Sequence, residues 1–390
     1  MIIEPAQRAK QAREYYFSVK LGEVRKLISQ GHDVINLGIG SPDMMPSPAT
    51  IEALIQSAAE PASHGYQSYT GIPEFREAIV RYYDTTYGVS LDPNKEVLPL
   101  IGSKEGITHI SLTFLDPGDR VLVPELGYPT YRSVTEMVGG VVTEYPLRED
   151  YGWQPDWEKM DELVTPGTKL MWMNYPHMPT GAPATRELFE AAVAFARKHR
   201  ILICHDNPYS LVLNKKPPIS LLAVDGAREV VIELNSMSKS HNMAGWRLGW
   251  IAGAQDYINT ILRIKTNVDS GMFKSLQVAA ATALQNSQDW HNERNAVYQG
   301  RLEAAEALLR SLGCVWDPTQ EGMFLWGKLP DDSPSAEAVI EDLLYNKHVF
   351  LAPGFIFGPK GNRYVRISLC TPKERIWEAV HRITSVQSEQ

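Results

Sequence analysis

The sequence predicts an α/β fold, with a large domain in which helices flank a mostly parallel central sheet and a smaller α+β domain after it. Up to about residue 285, short apolar segments alternate with amphipathic helical patterns, and this alternation is typical of parallel sheets covered by helices. Beyond that residue, a long charged helical stretch leads into short strand-like segments. This change of character predicts the second domain.

The strands predicted for the large domain are short and apolar. They cover 120–123, 169–174, 201–206, 230–234 and 249–252, with an amphipathic helix at 185–197. For the smaller domain, the pattern predicts a helix at 290–312 and strand-like segments at 324–326, 348–351 and 364–369. Ligands of open parallel sheets collect at the carboxyl ends of the strands. We expect the functional site there because that edge carries Asn174, Asp206, Ser236 and Lys239.

Composition limits the class of protein. With 390 residues, 44% apolar content and 3 cysteines, the chain can bury a large core without disulfides. The cysteines are far apart and form no C-x-x-C pair, which disfavours a metal site and indicates a reducing compartment. A net charge of −8 without a basic cluster argues against nucleic-acid binding. We expect a cytoplasmic protein, because no segment resembles a signal sequence or approaches the ~20 apolar residues of a membrane span.

Lys239 is the most informative residue of the chain. It follows the predicted strand 230–234 and is flanked by Ser238 and Ser240, with Arg247 eight residues further on. A lysine in this position suits an amine that forms a Schiff base beside a bound phosphate. The cofactor implied is pyridoxal 5′-phosphate. The alternative is an ordinary solvated lysine.

A second segment, Gly102-Ser103-Lys104, lies between an apolar stretch and a predicted helix. Glycine and serine at such a junction leave backbone N–H groups at the helix N-terminus, where partial positive charge attracts phosphate. The segment predicts a phosphate-binding turn. A plain helix N-cap is the alternative.

Asp206 and Tyr209 form a third group, at the end of the predicted strand 201–206. A carboxylate at a strand end needs a cationic or donor partner, and a protonated pyridine nitrogen would provide one. Asp206 is the candidate for that role, and the Tyr209 hydroxyl is expected to reach the phenolic oxygen of the same ligand. A turn built on Asp-Asn-Pro is the alternative.

The fourth group lies on the predicted strand 364–369. Strand alternation places its apolar residues on one face and Tyr364, Arg366 and Ser368 on the other. A guanidinium matches a substrate carboxylate well. Arg366 is therefore the candidate carboxylate ligand, with a structural ion pair as the alternative.

Short motifs, including those of the four groups described above, are distributed along nearly the whole chain. They are 36–43 (NLGIGSPD), 66–76 (YQSYTGIPEFR), 102–104 (GSK), 124–131 (PELGYPTY), 174–181 (NYPHMPTG), 206–209 (DNPY), 236–247 (SMSKSHNMAGWR), 353–358 (PGFIFG) and 364–366 (YVR). In this order they resemble the class I/II aminotransferases, pyridoxal-phosphate enzymes of fold type I, and in particular the bacterial aspartate and diaminopimelate types. The resemblance implies a large cofactor-binding domain at 45–287 and a small domain formed by 1–44 and 288–390.

The resemblance also implies a role for each matching residue. Lys239 would carry the cofactor and move the proton, Asp206 would pair with the pyridine nitrogen, and Tyr209 with O3′. Tyr128 would stack on the ring, near Asn174. The phosphate would be held by Gly102, Ser103, Lys104, Ser236, Ser238 and Arg247, joined by Tyr66 from the neighbouring subunit of a homodimer. Arg366 would bind the α-carboxylate near the backbone of Gly40, and the Lys104 side chain would contact the second carboxylate of an acidic substrate.

One position departs from the family pattern. The family usually reads Asn-Pro-Thr-Gly and its asparagine donates a hydrogen bond to O3′, whereas this chain has Met178 there. A thioether cannot donate. Either the O3′ donor is missing or another group supplies it, with His177 and Asn174 as the nearest candidates in sequence. The alternative is that Met178 is a packing residue near the ring.

The function implied is transfer of an amino group between an L-amino acid and a 2-keto acid, with glutamate and 2-oxoglutarate as one pair. A β-lyase or an enzyme similar to aminocyclopropane-carboxylate synthase would share these motifs. A regulator that binds pyridoxal phosphate without turnover is a more distant alternative.

Overall fold

The computed structural model describes residues 2–11 and 16–385. The strands of the described residues are β1 (Ile35–Asn36), β2 (Val97–Leu100), β3 (Arg120–Pro124), β4 (Val141–Tyr145), β5 (Leu147–Arg148), β6 (Gln154–Pro155), β7 (Thr168–Met173), β8 (Leu202–Asp206), β9 (Val231–Ser236), β10 (Gly249–Gly253), β11 (Phe324–Lys328), β12 (Val349–Phe350), β13 (Ala352–Pro353) and β14 (Tyr364–Ser368).

The helices in the same ranges lie between and around these strands. They are α1 (Gln7–Gln11), α2 (Tyr16–Ser29), α3 (Pro48–Ala59), α4 (Pro73–Tyr87), α5 (Ser103–Phe114), α6 (Thr130–Met137), α7 (Trp157–Leu163), α8 (Arg186–His199), α9 (Met237–Ser240), α10 (Gln255–Lys265), α11 (Lys274–Ala283), α12 (Gln288–Ser311), α13 (Ala336–Lys347) and α14 (Lys373–Thr384).

The central sheet has the strand order β2-β10-β9-β8-β7-β3-β4, with seven strands among the described residues. Strand β10 runs antiparallel to both of its neighbours, and the other neighbouring strands are parallel. The predicted mostly parallel sheet is thus confirmed, and each of its predicted strands lies within two residues of an observed one. Because β7, β8 and β9 are parallel, their carboxyl ends meet at one edge, which Asn174, Asp206 and Ser236 occupy.

Helices cover both faces of this sheet. On one face, α5 and α10 pack through Ile107, Ile110 and Ile261 in a single apolar cluster with the strands. On the other face, α4 and α8 contribute Phe75, Phe189 and further buried residues to the main core. The central strands are buried on both sides, which explains why their sequences are rich in apolar residues, with only a few polar positions such as His205 and Glu233.

The second part of the chain forms a smaller antiparallel sheet in the order β11-β14-β13, next to α12, α13 and α14. The N-terminal segment packs with this part of the chain, because β1 pairs with β12 through Ile35 and Val349 in a separate two-stranded parallel sheet. The 3 cysteines of the sequence are buried and unpaired. None of the helices in the described ranges combines the length and apolar character that crossing a membrane requires.

Candidate active site

Two adjoining cavities lie at the carboxyl edge of β7, β8 and β9. The first, of about 420 Å³, is lined by Ser103, Lys104, Tyr128, Asn174, Met178, Asp206, Tyr209, Ser236, Ser238, Lys239 and Arg247. The second, of about 260 Å³, shares Tyr128, Met178, Tyr209 and Lys239 with the first and adds Gly40 and Arg366. The structure therefore brings together residues that the sequence spreads from Gly40 to Arg366.

The Lys239 amine lies where the two cavities meet. Its residue belongs to the short helix α9, which Ser236 caps by accepting a hydrogen bond from the Ser238 N–H. The ammonium donates to the carbonyl oxygen of Gly40. Burial lowers the pKa of Lys239 to about 8, helped by the nearby cations Arg366 and Arg247, against the opposing effect of Cys370. An amine that loses its proton this close to neutral pH is suited to nucleophilic and proton-transfer chemistry.

Asp206 has one open carboxylate oxygen, that is, one with no hydrogen-bond partner among the described residues. Its Oδ2 accepts a hydrogen bond of 2.9 Å from the Tyr131 hydroxyl, whereas Oδ1 is buried and has no hydrogen-bond partner among the described residues. Burial raises the pKa of Asp206 to about 6, and the hydrogen bond from Tyr131 opposes this effect. A buried acceptor facing a cavity needs a donor. A protonated pyridine nitrogen meets that need, so the residues present fit pyridoxal phosphate.

Tyr131 is held in place by an aromatic contact. Its ring stacks on Trp172, with ring centroids 5.0 Å apart and an interplanar angle of 3°. Sequence reasoning missed Tyr131 as a site residue, although it lies three residues after Tyr128 in the sequence, and the two ring centroids are 5.6 Å apart. That spacing was the available signal.

The turn at Gly102 is shaped to admit Arg247. Gly102 has a φ of +83°, and a Cβ at this position would lie 2.2 Å from Nη2 of Arg247. The Arg247 guanidinium donates to the Ala244 carbonyl at 3.1 Å and to Ser238 Oγ at 3.5 Å. Helix α5 begins at Ser103. A helix N-terminus, serine hydroxyls and a guanidinium together make a site for a phosphate dianion.

Arg366 is buried in an aromatic environment. Its guanidinium lies 3.9 Å from the ring centroid of Phe324 and 4.6 Å from that of Phe357. Nη2 donates to the Gly38 carbonyl at 2.7 Å, and Nη1 lies 3.3 Å from Sδ of Met178. From the polar face predicted for this strand, Arg366 thus contributes to the buried wall of the second cavity. Sequence reasoning missed Phe324 and Phe357, because their apolar strand and loop patterns are those of ordinary core residues.

Of the two residues that could replace the O3′ hydrogen-bond donor, Asn174 lines the first cavity, whereas His177 lines neither of the two cavities. The Asn174 amide donates to the Asp206 carbonyl at 2.6 Å, and its Oδ1 accepts from the Met178 N–H at 2.8 Å. His177 instead pairs with Thr180 Oγ1 at 2.8 Å and with the Leu126 carbonyl at 3.1 Å. Because both ring nitrogens are engaged elsewhere, His177 is not the substitute.

Tyr66 lines neither of the two cavities within its own chain. Its side chain is 94% exposed. Tyr209 is buried and lines both cavities, and burial raises its pKa. Lys104 is exposed at the rim of the first cavity.

A family model described as aminotransferase class I and II matches residues 32–383. The LL-diaminopimelate aminotransferase of Dehalococcoides mccartyi is 38% identical over 389 residues, which cover 98% of this chain and 99% of that protein. The enzyme of the same name from Moorella thermoacetica is 40% identical over 386 residues, 98% of each chain.

Two solved structures share the whole fold. Substrate-bound BacF from Bacillus subtilis superposes with a TM-score of 0.94 at 35% identity, over 98% of this chain and 97% of that one. Aspartate aminotransferase from Thermus thermophilus with maleate has a TM-score of 0.91 at 26% identity, over 97% of this chain and 98% of that one.

Proposed function

This chain belongs to the class I and II aminotransferases and uses pyridoxal 5′-phosphate. We propose that it moves an amino group between an L-amino acid and a 2-keto acid, with glutamate and 2-oxoglutarate as one of the two amino acid and keto acid pairs. One observation carries the proposal: a single pair of cavities joins the Lys239 amine, the open oxygen of Asp206 and the Arg366 guanidinium. The maleate in the related Thermus thermophilus structure is a dicarboxylate, as 2-oxoglutarate is.

We assign the central chemistry to Lys239 and Asp206. When bound, pyridoxal phosphate supplies an electron sink for the negative charge that develops at the substrate Cα. Lys239 would hold the cofactor covalently in the resting enzyme, then remove the Cα proton and return it, for which its lowered pKa of about 8 is suited. Asp206 would accept the hydrogen bond of the ring nitrogen at Oδ1, and Tyr209 would orient the ring through its hydroxyl.

The remaining residues would bind rather than react. Ser103, Ser236, Ser238 and Arg247, with backbone N–H groups of 102–104, would hold the phosphate. Tyr128 would pack on the ring, beside Asn174. Arg366 would exchange its contact with the Gly38 carbonyl for the substrate α-carboxylate, near Gly40. Lys104 would attract the second carboxylate of the acidic substrate from the rim.

We further propose a homodimer in which Tyr66 reaches the phosphate of the partner subunit. The exposed position of Tyr66 supports this arrangement, because a side chain that is 94% exposed is accessible to a second subunit. On this view each site depends on both subunits.

The test of the function is a half-reaction. Holoenzyme mixed with L-glutamate alone should release one equivalent of 2-oxoglutarate per site, and the cofactor's absorption should change to that of its amine form. A β-lyase, or an enzyme similar to aminocyclopropane-carboxylate synthase, would instead leave the cofactor in its starting form. Absence of any spectral change with glutamate would contradict the proposed pair.

A further inference from the structure

We propose that the amino acid that this enzyme pairs with glutamate carries an apolar side chain, which binds against the N-terminal helix α2 in the second cavity. The inference rests on the proposed function, because it takes Lys239 and Arg366 as the groups that hold the reacting end of the substrate. It concerns what fills the remainder of the same cavity.

The remainder of that cavity is mostly apolar. Lys239 and Arg366 are its charged lining residues within the described parts of the chain. The walls beyond them are formed by Phe17, Leu21, Ile39, Phe324 and Phe357, with Met178, Tyr128 and Tyr209 at the side shared with the first cavity. A substrate anchored at its α-carboxylate and Cα would therefore direct its side chain onto aromatic and aliphatic surface. A volume of about 260 Å³ accommodates a side chain of moderate size.

The aromatic wall is already packed in position. The Phe324 ring lies so close to Gly40 that a Cβ there would be 2.2 Å from Cζ of Phe324. The Phe17 ring lies 6.4 Å from that of Phe357, in a tilted arrangement. Because these rings support one another and the Arg366 guanidinium, the apolar surface exists before a substrate binds.

Helix α2 is fixed over the cavity by charged contacts on its other side. Lys20 is buried and pairs with Glu23 at 2.7 Å and with Glu341 of α13. The Tyr345 hydroxyl of α13 donates to Glu23 at 2.8 Å. These contacts dock α2 on the small domain, so that Phe17 and Leu21 line the cavity.

Charge in the cavity disfavours the dibasic substrate named in the relatives. LL-diaminopimelate carries a second ammonium and a second carboxylate at the far end of its side chain. Among the described lining residues there is no carboxylate to pair with that ammonium. A buried ammonium without a partner is strongly unfavourable, whereas an apolar side chain gains from the same surface.

The experiment uses holoenzyme and single amino acids, one per reaction, so that each half-reaction is measured without a keto acid acceptor. L-phenylalanine, L-leucine and L-methionine are compared with LL-diaminopimelate, and the readouts are keto acid release and cofactor absorption. We expect the second-order rate constant of the half-reaction to be about 100-fold higher for at least one apolar amino acid than for LL-diaminopimelate, the size of discrimination that a matched pocket gives. Faster reaction of LL-diaminopimelate would overturn the inference.

L-glutamate in the same assay separates this inference from the proposed function. Reaction of an apolar amino acid without reaction of glutamate would refute the proposed pair and keep the apolar site. Reaction of glutamate and LL-diaminopimelate without reaction of the apolar amino acids would refute the apolar site and keep the proposed pair.

A pair of variants on helix α2 locates the effect. Leu21→Asp places a carboxylate in the cavity, and Val19→Asp places one on the same helix at a position that is 43% exposed and outside the cavity lining. Leu21→Asp should lower kcat/KM for the apolar amino acid by about 10-fold or more, and Leu21→Met should retain it. Equal effects of Leu21→Asp and Val19→Asp, with cofactor absorption intact in both, would place the side chain elsewhere.

Discussion

The Met178 Sδ atom lies 3.3 Å from Nη1 of Arg366. The residue that replaces the family's asparagine is thus in contact with the proposed carboxylate-binding guanidinium. A thioether is a weak acceptor and no donor, so Met178 covers the guanidinium without competing strongly for it. The departure from the family pattern is therefore linked to substrate binding as well as to the cofactor.

Met178→Asn tests whether the cofactor lacks a donor at this position. An added amide donor would stabilise the deprotonated form of the bound cofactor, so its spectral titration should move to lower pH. The measurement is absorption against pH for holoenzyme, with Met178→Leu as a control of similar shape that cannot donate. An unchanged titration in Met178→Asn would indicate that Asn174 already provides the hydrogen bond.

Lys239→Ala should lose nearly all turnover and the covalent attachment of the cofactor. The measurement is the mass of the protein after borohydride reduction, which fixes a cofactor bound to an amine. Lys104→Ala, at the rim of the same cavity, is the control and should still be labelled. Labelling of the Lys239→Ala protein would show that another amine holds the cofactor.

Asp206→Asn should stabilise the cofactor-free protein increasingly as pH rises. Burial raises the pKa of Asp206 from 3.8 to about 6, so the protonated form is favoured in the fold. The contribution of Asp206 to the stability of the wild-type protein is therefore greatest below its unfolded-state pKa of 3.8 and is lost as pH rises through about 6. The difference between the two proteins should grow by about 2 to 3 kcal/mol between pH 4 and pH 8.

Urea unfolding of both cofactor-free proteins at several pH values measures this difference. With the cofactor bound, the order should reverse, because the carboxylate then has a positive partner. A difference that stays constant with pH would mean that Asp206 does not titrate as its burial indicates.

Lys104→Ala should raise the apparent KM for 2-oxoglutarate by about 10-fold or more, which corresponds to the ~1.5 to 3 kcal/mol of a charge-assisted hydrogen bond. A neutral keto acid should be little affected, because it has no second carboxylate. Steady-state kinetics with the two acceptors gives the comparison. Equal losses on both acceptors would assign Lys104 to the phosphate or to the fold.

Hybrid dimers test whether Tyr66 acts across the subunit interface. Co-expression of Lys239→Ala and Tyr66→Ala chains with different tags allows purification of the mixed dimer. If Tyr66 serves the partner, one site of the hybrid has both residues intact, and turnover should be about half of the wild-type value. If Tyr66 serves its own chain, the hybrid should be no more active than the Tyr66→Ala protein.

The sequence by itself determined the central strands and the residues that follow them. Apolar runs such as 201–206 are local patterns, and a residue at the end of a strand, such as Asp206, has a position that follows from the strand. The same reasoning placed Lys239 after β9 and Arg366 on β14, as the structure has them.

Only the tertiary structure decided how distant segments meet. The antiparallel direction of β10, the hydrogen bond from Tyr131 to Asp206 and the approach of helix α2 to the cavity join residues far apart in the chain. Lys239 and Gly40, for example, are 199 residues apart in sequence. Such contacts depend on how whole helices and sheets pack, and periodicity within one segment carries information only about that segment's own face and ends.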